Sequence, residues 1–250
     1  MRAFKTMMKT ELKLSLRGMD MFIFAICAPL VVLVLLGILY GDKPAFEGAG
    51  YTFLEQSFGA LTTISICAGG VMGLPLVVSE YRSRHILKRY QVTPVSPAVI
   101  LLVQVAIYTL YAAVSFVSLY LTAALFFGYR FGGSWTGFLG GYLLVLVSMF
   151  SIGMMVGGIA PDARTAGVIA SLLYFPMLIF SGATLPYEVM PGPLRQAAGL
   201  LPLTQGIKLL KAASLGLPAD SVRLPILLMA AIAGVAPWFP SASSNGNRAG

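Results

Sequence analysis

Residues 79–97 read SEYRSRHILKRYQVTPVSP, with four Lys or Arg, one acid and a double proline ending. The residues before it, 57–78 (SFGALTTISICAGGVMGLPLVV), carry no charge, and neither do the residues after it, 98–127. A helix needs about 20 apolar residues to cross the hydrocarbon core of a bilayer. Both flanks meet that length, so the segment reads as a short charged connection between two membrane spans. That assignment sets the fold class.

Three further runs are as long and as free of charge: about 21–40, 135–160 and 165–186. A weaker sixth covers about 222–239, with Arg223 at its mouth. The runs are continuously apolar rather than alternating, which favours helices over barrel strands. The expected architecture is an all-α, six-span membrane bundle forming a single domain over 1–250. Composition agrees: of 250 residues, 58% are hydrophobic and 10% charged, where soluble domains carry about 25% charged residues. The run at 21–40 and its leader are long for a cleaved signal peptide, and no A-x-A-like site follows, so the run is expected to be a retained span.

Lys and Arg give an orientation. With the N-terminus in the cytoplasm, eleven of the 17 fall on inner segments and six on outer ones, so both termini and the 79–97 segment are expected on the cytoplasmic side of the cell membrane. The same rule accounts for the net charge of +8 without nucleic acid as a partner. In the N-terminal 20 residues, Arg2, Lys5, Lys9, Lys13 and Arg17 recur every three or four positions and share a helical face. Phe4, Met8, Leu12 and Leu16 form the neighbouring stripe, which predicts an amphipathic helix lying in the membrane interface. The alternative is a basic leader that only sets topology. After the fifth span, residues 183–220 are apolar but broken by five prolines. Two short helices dipping into or lying on the outer leaflet are expected, with Leu203, Ile207 and Leu210 as one stripe. Cys27 and Cys67 lie within apolar runs and read as packing residues. Three GxxxG pairs (Gly69/Gly73, Gly137/Gly141 and Gly153/Gly157) read as close helix crossings within the bundle.

An enzyme reading finds no residues to carry it. The single histidine, His85, sits in the basic segment, and HExxH and GxSxG patterns are absent. Asp20, Asp42, Glu47, Glu55, Glu80, Asp162, Glu188 and Asp220 all fall outside the apolar runs, which also disfavours a proton relay. The polar content at depth is mild and includes Thr62, Thr63, Ser65, Gln104 and Ser171. Thr62, Thr63, Ser65 and Ser171 are candidate lining for a pathway, against the blander role of interhelical hydrogen bonds. No P-loop is present, so if the chain moves something uphill the energy must come from elsewhere, and a separate cytoplasmic ATPase is the natural supply. ATP and Mg are expected there, and no cofactor here. The 79–97 segment offers the handle: Ser79 as helix N-cap, Glu80 at the positive helix end and paired i,i+4 with Arg84, Lys88 and Arg89 in the last turn, and Thr93 before Pro94 as the stop. Tyr81 and Tyr90 add apolar surface.

These residues resemble the first cytoplasmic loop of the type-2 permease family of ATP-binding-cassette exporters, where a Glu-Arg-led basic helix closes with a Thr-Pro-x-x-Pro turn. The stretch FPMLIFSGATLPYEVMPGPLRQAAGLLPLTQGIKLLKAASLG similarly resembles that family's fifth span and following external helices. The resemblance covers about 1–235. It implies that Glu80, Tyr81, Arg82, Arg84, Lys88, Arg89, Tyr90, Thr93 and Pro94 form a coupling helix against a cytoplasmic ATPase subunit. It also implies that two permeases, identical or paralogous, pair and pass cargo between them. Tyr81 separates the acid from the base, a departure from the family pattern. The implied cargo is a small hydrophobic compound such as a drug or antibiotic. A lipid-linked glycan is the rival, and a non-transporting receptor or assembly protein is the reading from another class. The end departs further: GVAPWFPSASSNGNRAG replaces a long apolar run, so residues 240–250 read as a disordered tail. A frame change near 234 would produce such a switch, and it predicts a short or poorly packed last span.

Overall fold

A computed structural model describes residues 2–41, 43–45, 50–84, 97–181, 191–218 and 223–235. Its elements are α1 (Arg2–Gly18), α2 (Ile23–Tyr40), α3 (Phe53–Ser83), α4 (Pro97–Phe127), α5 (Trp135–Ile159), α6 (Ala163–Phe180), α7 (Gly192–Leu200), α8 (Pro202–Leu215) and α9 (Arg223–Val235). Among the described residues the only β pairing is an isolated bridge between Pro44 and Thr52. Five helices, α2 to α6, are long and apolar enough to cross a membrane. With α9 at 13 residues, its length is about 20 Å, short of the roughly 30 Å hydrocarbon core; residues 236–250 lie outside the description. The short helix is nonetheless packed. It lies against α5 and α8, Met229 is fully buried, and the Ser148 hydroxyl donates to the Met229 carbonyl at 2.7 Å.

Lipid offers the backbone no hydrogen-bond partners, so each carbonyl released from a helix needs one inside the protein. Three spans contain a proline that creates this need: Pro29 in α2, Pro75 in α3 and Pro176 in α6. Pro29 has no N–H for the carbonyl of Ala25 four residues back. The preceding turn, Ile23–Cys27, widens into a π-turn, and the Ser65 hydroxyl of α3 donates to the Ala25 carbonyl at 2.6 Å. Pro75 follows a second π-turn, Ala68–Gly73, within α3.

At that second π-turn α3 and α5 cross closely. A Cβ on Gly153 of α5 would lie 1.9 Å from the Gly70 carbonyl oxygen, and one on Gly157 would lie 2.8 Å from the Cβ of Val78. The Gly153/Gly157 pair thus packs one helix of this chain on another. Of the other glycine pairs, Gly73 meets Tyr108 and Met21 closely, whereas Gly137 has only its own Ser134 within reach.

At the other end of α3 a capping box holds the N-terminus. Thr52 N–H donates to Glu55 Oε2 at 2.7 Å, and Glu55 N–H donates to Thr52 Oγ1 at 3.2 Å. Aromatic rings fill this end: Phe58 lies 4.8 Å from Tyr129 and 6.0 Å from Phe138, and Phe131 stacks on Trp135 at 4.1 Å. The helix pair expected after the fifth span is present as α7 and α8, but α8 is more than a surface helix. It packs along the first half of α3 and on α5, with Leu203, Ile207 and Leu210 buried. A Cβ on Gly59 would lie 2.7 Å from the Lys211 backbone nitrogen, so the small residue lets α8 lie directly on α3. At the start of α6, Asp162 accepts the Thr165 N–H at 2.8 Å, and this bond holds its carboxyl below the usual range.

Gly153→Ala is expected to lower stability by about 1–3 kcal/mol through overpacking against an immovable carbonyl. Gly158→Ala, where nothing lies within 4 Å, is expected to be neutral or better; thermal midpoints in detergent compare the two. Ser65→Ala is expected to cost about 1 kcal/mol. In a Pro29→Ala background the cost should fall towards zero, because the restored N–H can take the Ala25 carbonyl. A double-mutant cycle measures the difference.

Candidate functional site

Of the residues singled out in 79–97, those from Ser79 to Arg84 fall at one end of the bundle, here called the loop end. The description reaches Arg84 and resumes at Pro97, so Lys88, Arg89, Tyr90, Thr93 and Pro94 lie outside the described residues. For the described part, the expectation of a separate helix capped by Ser79 is corrected. The helix of the second span runs through to Ser83. The Ser79 hydroxyl donates back to the Leu76 carbonyl at 3.0 Å rather than accepting from an N–H, and Glu80 sits in a last turn, not a first. The physical reason is that VVSEYRS contains no helix breaker. The apolar run ends at Val78, but hydrogen-bond continuity does not.

Side chains of this last turn divide by face. Glu80 and Arg84 point outward and pair at 2.9 Å, with 41% and 71% of their side-chain surface exposed. A pair this exposed adds little to stability, which leaves its charges free for other contacts. Tyr81 and Arg82 turn into the protein. Arg82 Nη1 donates to the carbonyl of Gly157 near the end of α5, at 3.2 Å. The Tyr81 hydroxyl donates to Glu11 Oε2 of α1 at 2.6 Å. Gln104 of α4 donates from Nε2 to the same carboxylate oxygen at 3.0 Å and to the Tyr81 oxygen at 3.1 Å. Two outward charges therefore stand on a base tied to three other helices.

The N-terminal segment forms the expected helix, with its faces turned by one position. Lys5, Lys9, Lys13 and Arg17 are exposed together; the side chain of Arg2 lies outside the description. The inward stripe is Met7, Met8, Glu11, Leu12 and Ser15, while Phe4 and Leu16 stay exposed. This stripe packs on α4, where Ser15 and Tyr111 share a hydrogen bond of 2.8 Å between hydroxyls. Sequence reasoning passed over Glu11. Its signal was an acid at i+3 from Met8, on the apolar side of an otherwise basic helix.

The polar residues at depth are placed as follows. Thr62 and Thr63 are fully buried and donate to the carbonyls of Phe58 and Gly59 at 2.9 and 2.8 Å. Ser65 serves Ala25, as described. Ser171 on α6 is half-buried, with the sulfur of Met72 3.9 Å from its hydroxyl. Two clefts lie elsewhere. One of about 430 Å³ is bounded by Gly192, Arg195, Gln196 and Lys208 of α7 and α8. The other, about 400 Å³ and almost wholly apolar, lies between α5, α6, α8 and α9 and includes Ile152, Met155, Leu173, Pro202 and Ile232.

Comparison with known proteins gives local and chain-wide matches. Over 76 residues the chain is 37% identical to nodulation protein J of Rhizobium leguminosarum bv. viciae, covering 30% of this chain and 29% of the relative. Over 91 residues it is 33% identical to nodulation protein J of Rhizobium meliloti (strain 1021), covering 36% and 34%. The chain thus spans about a third of the length of the curated relatives it matches. The family profile of the ABC-2 type transporter matches residues 2–215, nearly the full described bundle. With five apolar spans and that match, the chain belongs to the ABC-2 type transporter family, as a multi-pass membrane subunit.

Proposed function

We propose that this chain is the permease of an exporter in the cytoplasmic membrane, driven by a separate ATPase that docks on segment 79–97. The observation that carries the reading is the last turn of α3, where Glu80 and Arg84 face outward while Tyr81 and Arg82 anchor the turn to α1, α4 and α5. A docking element needs this combination of an exposed charged face and a stiff attachment. Lys88, Arg89, Tyr90, Thr93 and Pro94 extend the docking face, and the ATP and Mg belong to the partner. The Lys and Arg bias supports a cytoplasmic loop end with both chain termini on that side, α1 at the inner interface, and α9 as part of a sixth crossing.

The family resemblance implies pairing with a second permease, identical or paralogous, and the lipid-facing surfaces of α2 (Val31, Leu35, Leu39) and α6 (Val168, Leu172, Phe175) are open to it. Cargo then passes between the two by alternating access. Ser171 lies on the helix such a pairing uses, and Thr62, Thr63 and Ser65 become lining when α3 parts from its neighbours. For cargo we favour an amphiphile, a lipid-linked saccharide. The polar cleft at Arg195, Gln196 and Lys208 suits a head group, and the apolar cleft beside α9 suits a chain. The relatives' name refers to nodulation and not to drugs. A small hydrophobic drug or antibiotic is the second reading, favoured by the apolar cleft alone.

Glu80→Ala with Arg84→Ala is expected to leave insertion intact and to uncouple ATP hydrolysis from export. Vesicles holding the permease with its co-expressed ATPase measure both, and export at the wild-type rate per ATP would remove the coupling role. In the same vesicles, ATP-dependent movement of a labelled lipid-linked oligosaccharide, with none of a hydrophobic cationic dye, is the expected pattern. The reverse pattern selects the drug reading.

A further inference from the structure

Glu11, Tyr81 and Gln104 come from three different helices, 70 and 93 residues apart in sequence from Glu11, and all three hydrogen bonds among them are formed. Gln104 is 4% exposed, and Glu11 stands on the stripe of α1 that packs inward. A carboxylate in that position is costly unless donors meet it. Two donors do, one of them a short charge-assisted bond from the Tyr81 hydroxyl. Packing alone would have been served by another apolar residue beside Met8 and Leu12. The polar choice ties α1 to one specific atom of α3, next in sequence to the outward Glu80.

We infer that Glu11, Tyr81 and Gln104 are positioning residues that form a latch, through which the interfacial helix α1 follows the loop end of α3. The inference rests on the reading of segment 79–97 as the point where the ATPase acts. The body of α1 packs on α4, and Ser15 bonds to Tyr111, also of α4. Neither contact makes α1 respond to α3. The Tyr81 hydroxyl does: a displacement at Arg84 moves Tyr81 in the same helical turn, and its bond to Glu11 passes the motion to α1. Tyr81, the residue that interrupts the acid–base pair, thus acquires a role of its own.

The test uses the full-length permease with its co-expressed ATPase in nanodiscs, with hydrogen exchange of residues 2–18 and 74–84 compared between the nucleotide-free state and ATP plus vanadate. In the wild type both segments are expected to change. In Tyr81→Phe and in Glu11→Ala the change at 74–84 should persist and that at 2–18 should be lost. Glu11→Gln should keep both, because its amide oxygen still accepts from Tyr81 and Gln104. Ser15→Ala, which weakens α1 docking outside the latch, should also keep both. The latch is overturned if residues 2–18 respond fully in Tyr81→Phe and Glu11→Ala, or if Ser15→Ala abolishes the response as completely. It is overturned equally if the wild type responds at 74–84 and not at 2–18. A wild-type complex in which neither segment responds overturns the coupling reading, and the latch with it.

Discussion

Every hydrogen bond a span gives up must be made good within the protein, since the surrounding lipid makes none. This constraint organises the bundle. Pro29 removes a donor from α2, and the chain answers with Ser65 on α3, fixing the rotation of the two helices about each other. Thr62 and Thr63, within a turn of it, bond within α3, and Thr63 presents its methyl to Gly206 of α8. Ser148 reaches the Met229 carbonyl and fixes the short α9 on α5. Hydrophobic attraction cannot hold helices together in a solvent as apolar as they are, so these bonds and the glycine crossings set the arrangement.

Five spans were legible because lipid imposes a length and forbids charge, and both are visible in a single sequence. Helix ends were less so. The second span was read to Val78, where apolarity stops, but the helix continues to Ser83 because nothing in VVSEYRS ends it. The outward Glu80–Arg84 pair followed from i,i+4 spacing alone. The inward bonds of Tyr81 could not be foreseen, since their partners lie far away in sequence and on helices whose rotation the sequence does not encode locally.

The N-terminal helix shows the same division. Its basic face follows from period, and Lys5, Lys9, Lys13 and Arg17 are exposed together. The opposite face is set by tertiary contact with α4, which selects Met8, Glu11, Leu12 and Ser15 over Phe4 and Leu16. Likewise α8 could be read as a short amphipathic helix, but its burial between α3 and α5 depends on Gly59 and Gly141 leaving room on two other helices.

The contact of Gly70 with Gly153 has a mechanical consequence. It pins α3 part-way along its length, so the helix acts as a lever with its fulcrum at the π-turn. Counted from Gly70, Ser83 lies 13 residues away and Phe53 lies 17, giving arms of about 20 Å and 26 Å. Pivoting as one body, α3 would magnify a sideways displacement at Ser83 about 1.3-fold at Phe53. The long arm carries Phe58 and the bed on which α8 rests, so a small stroke at one membrane face becomes a larger one at the other.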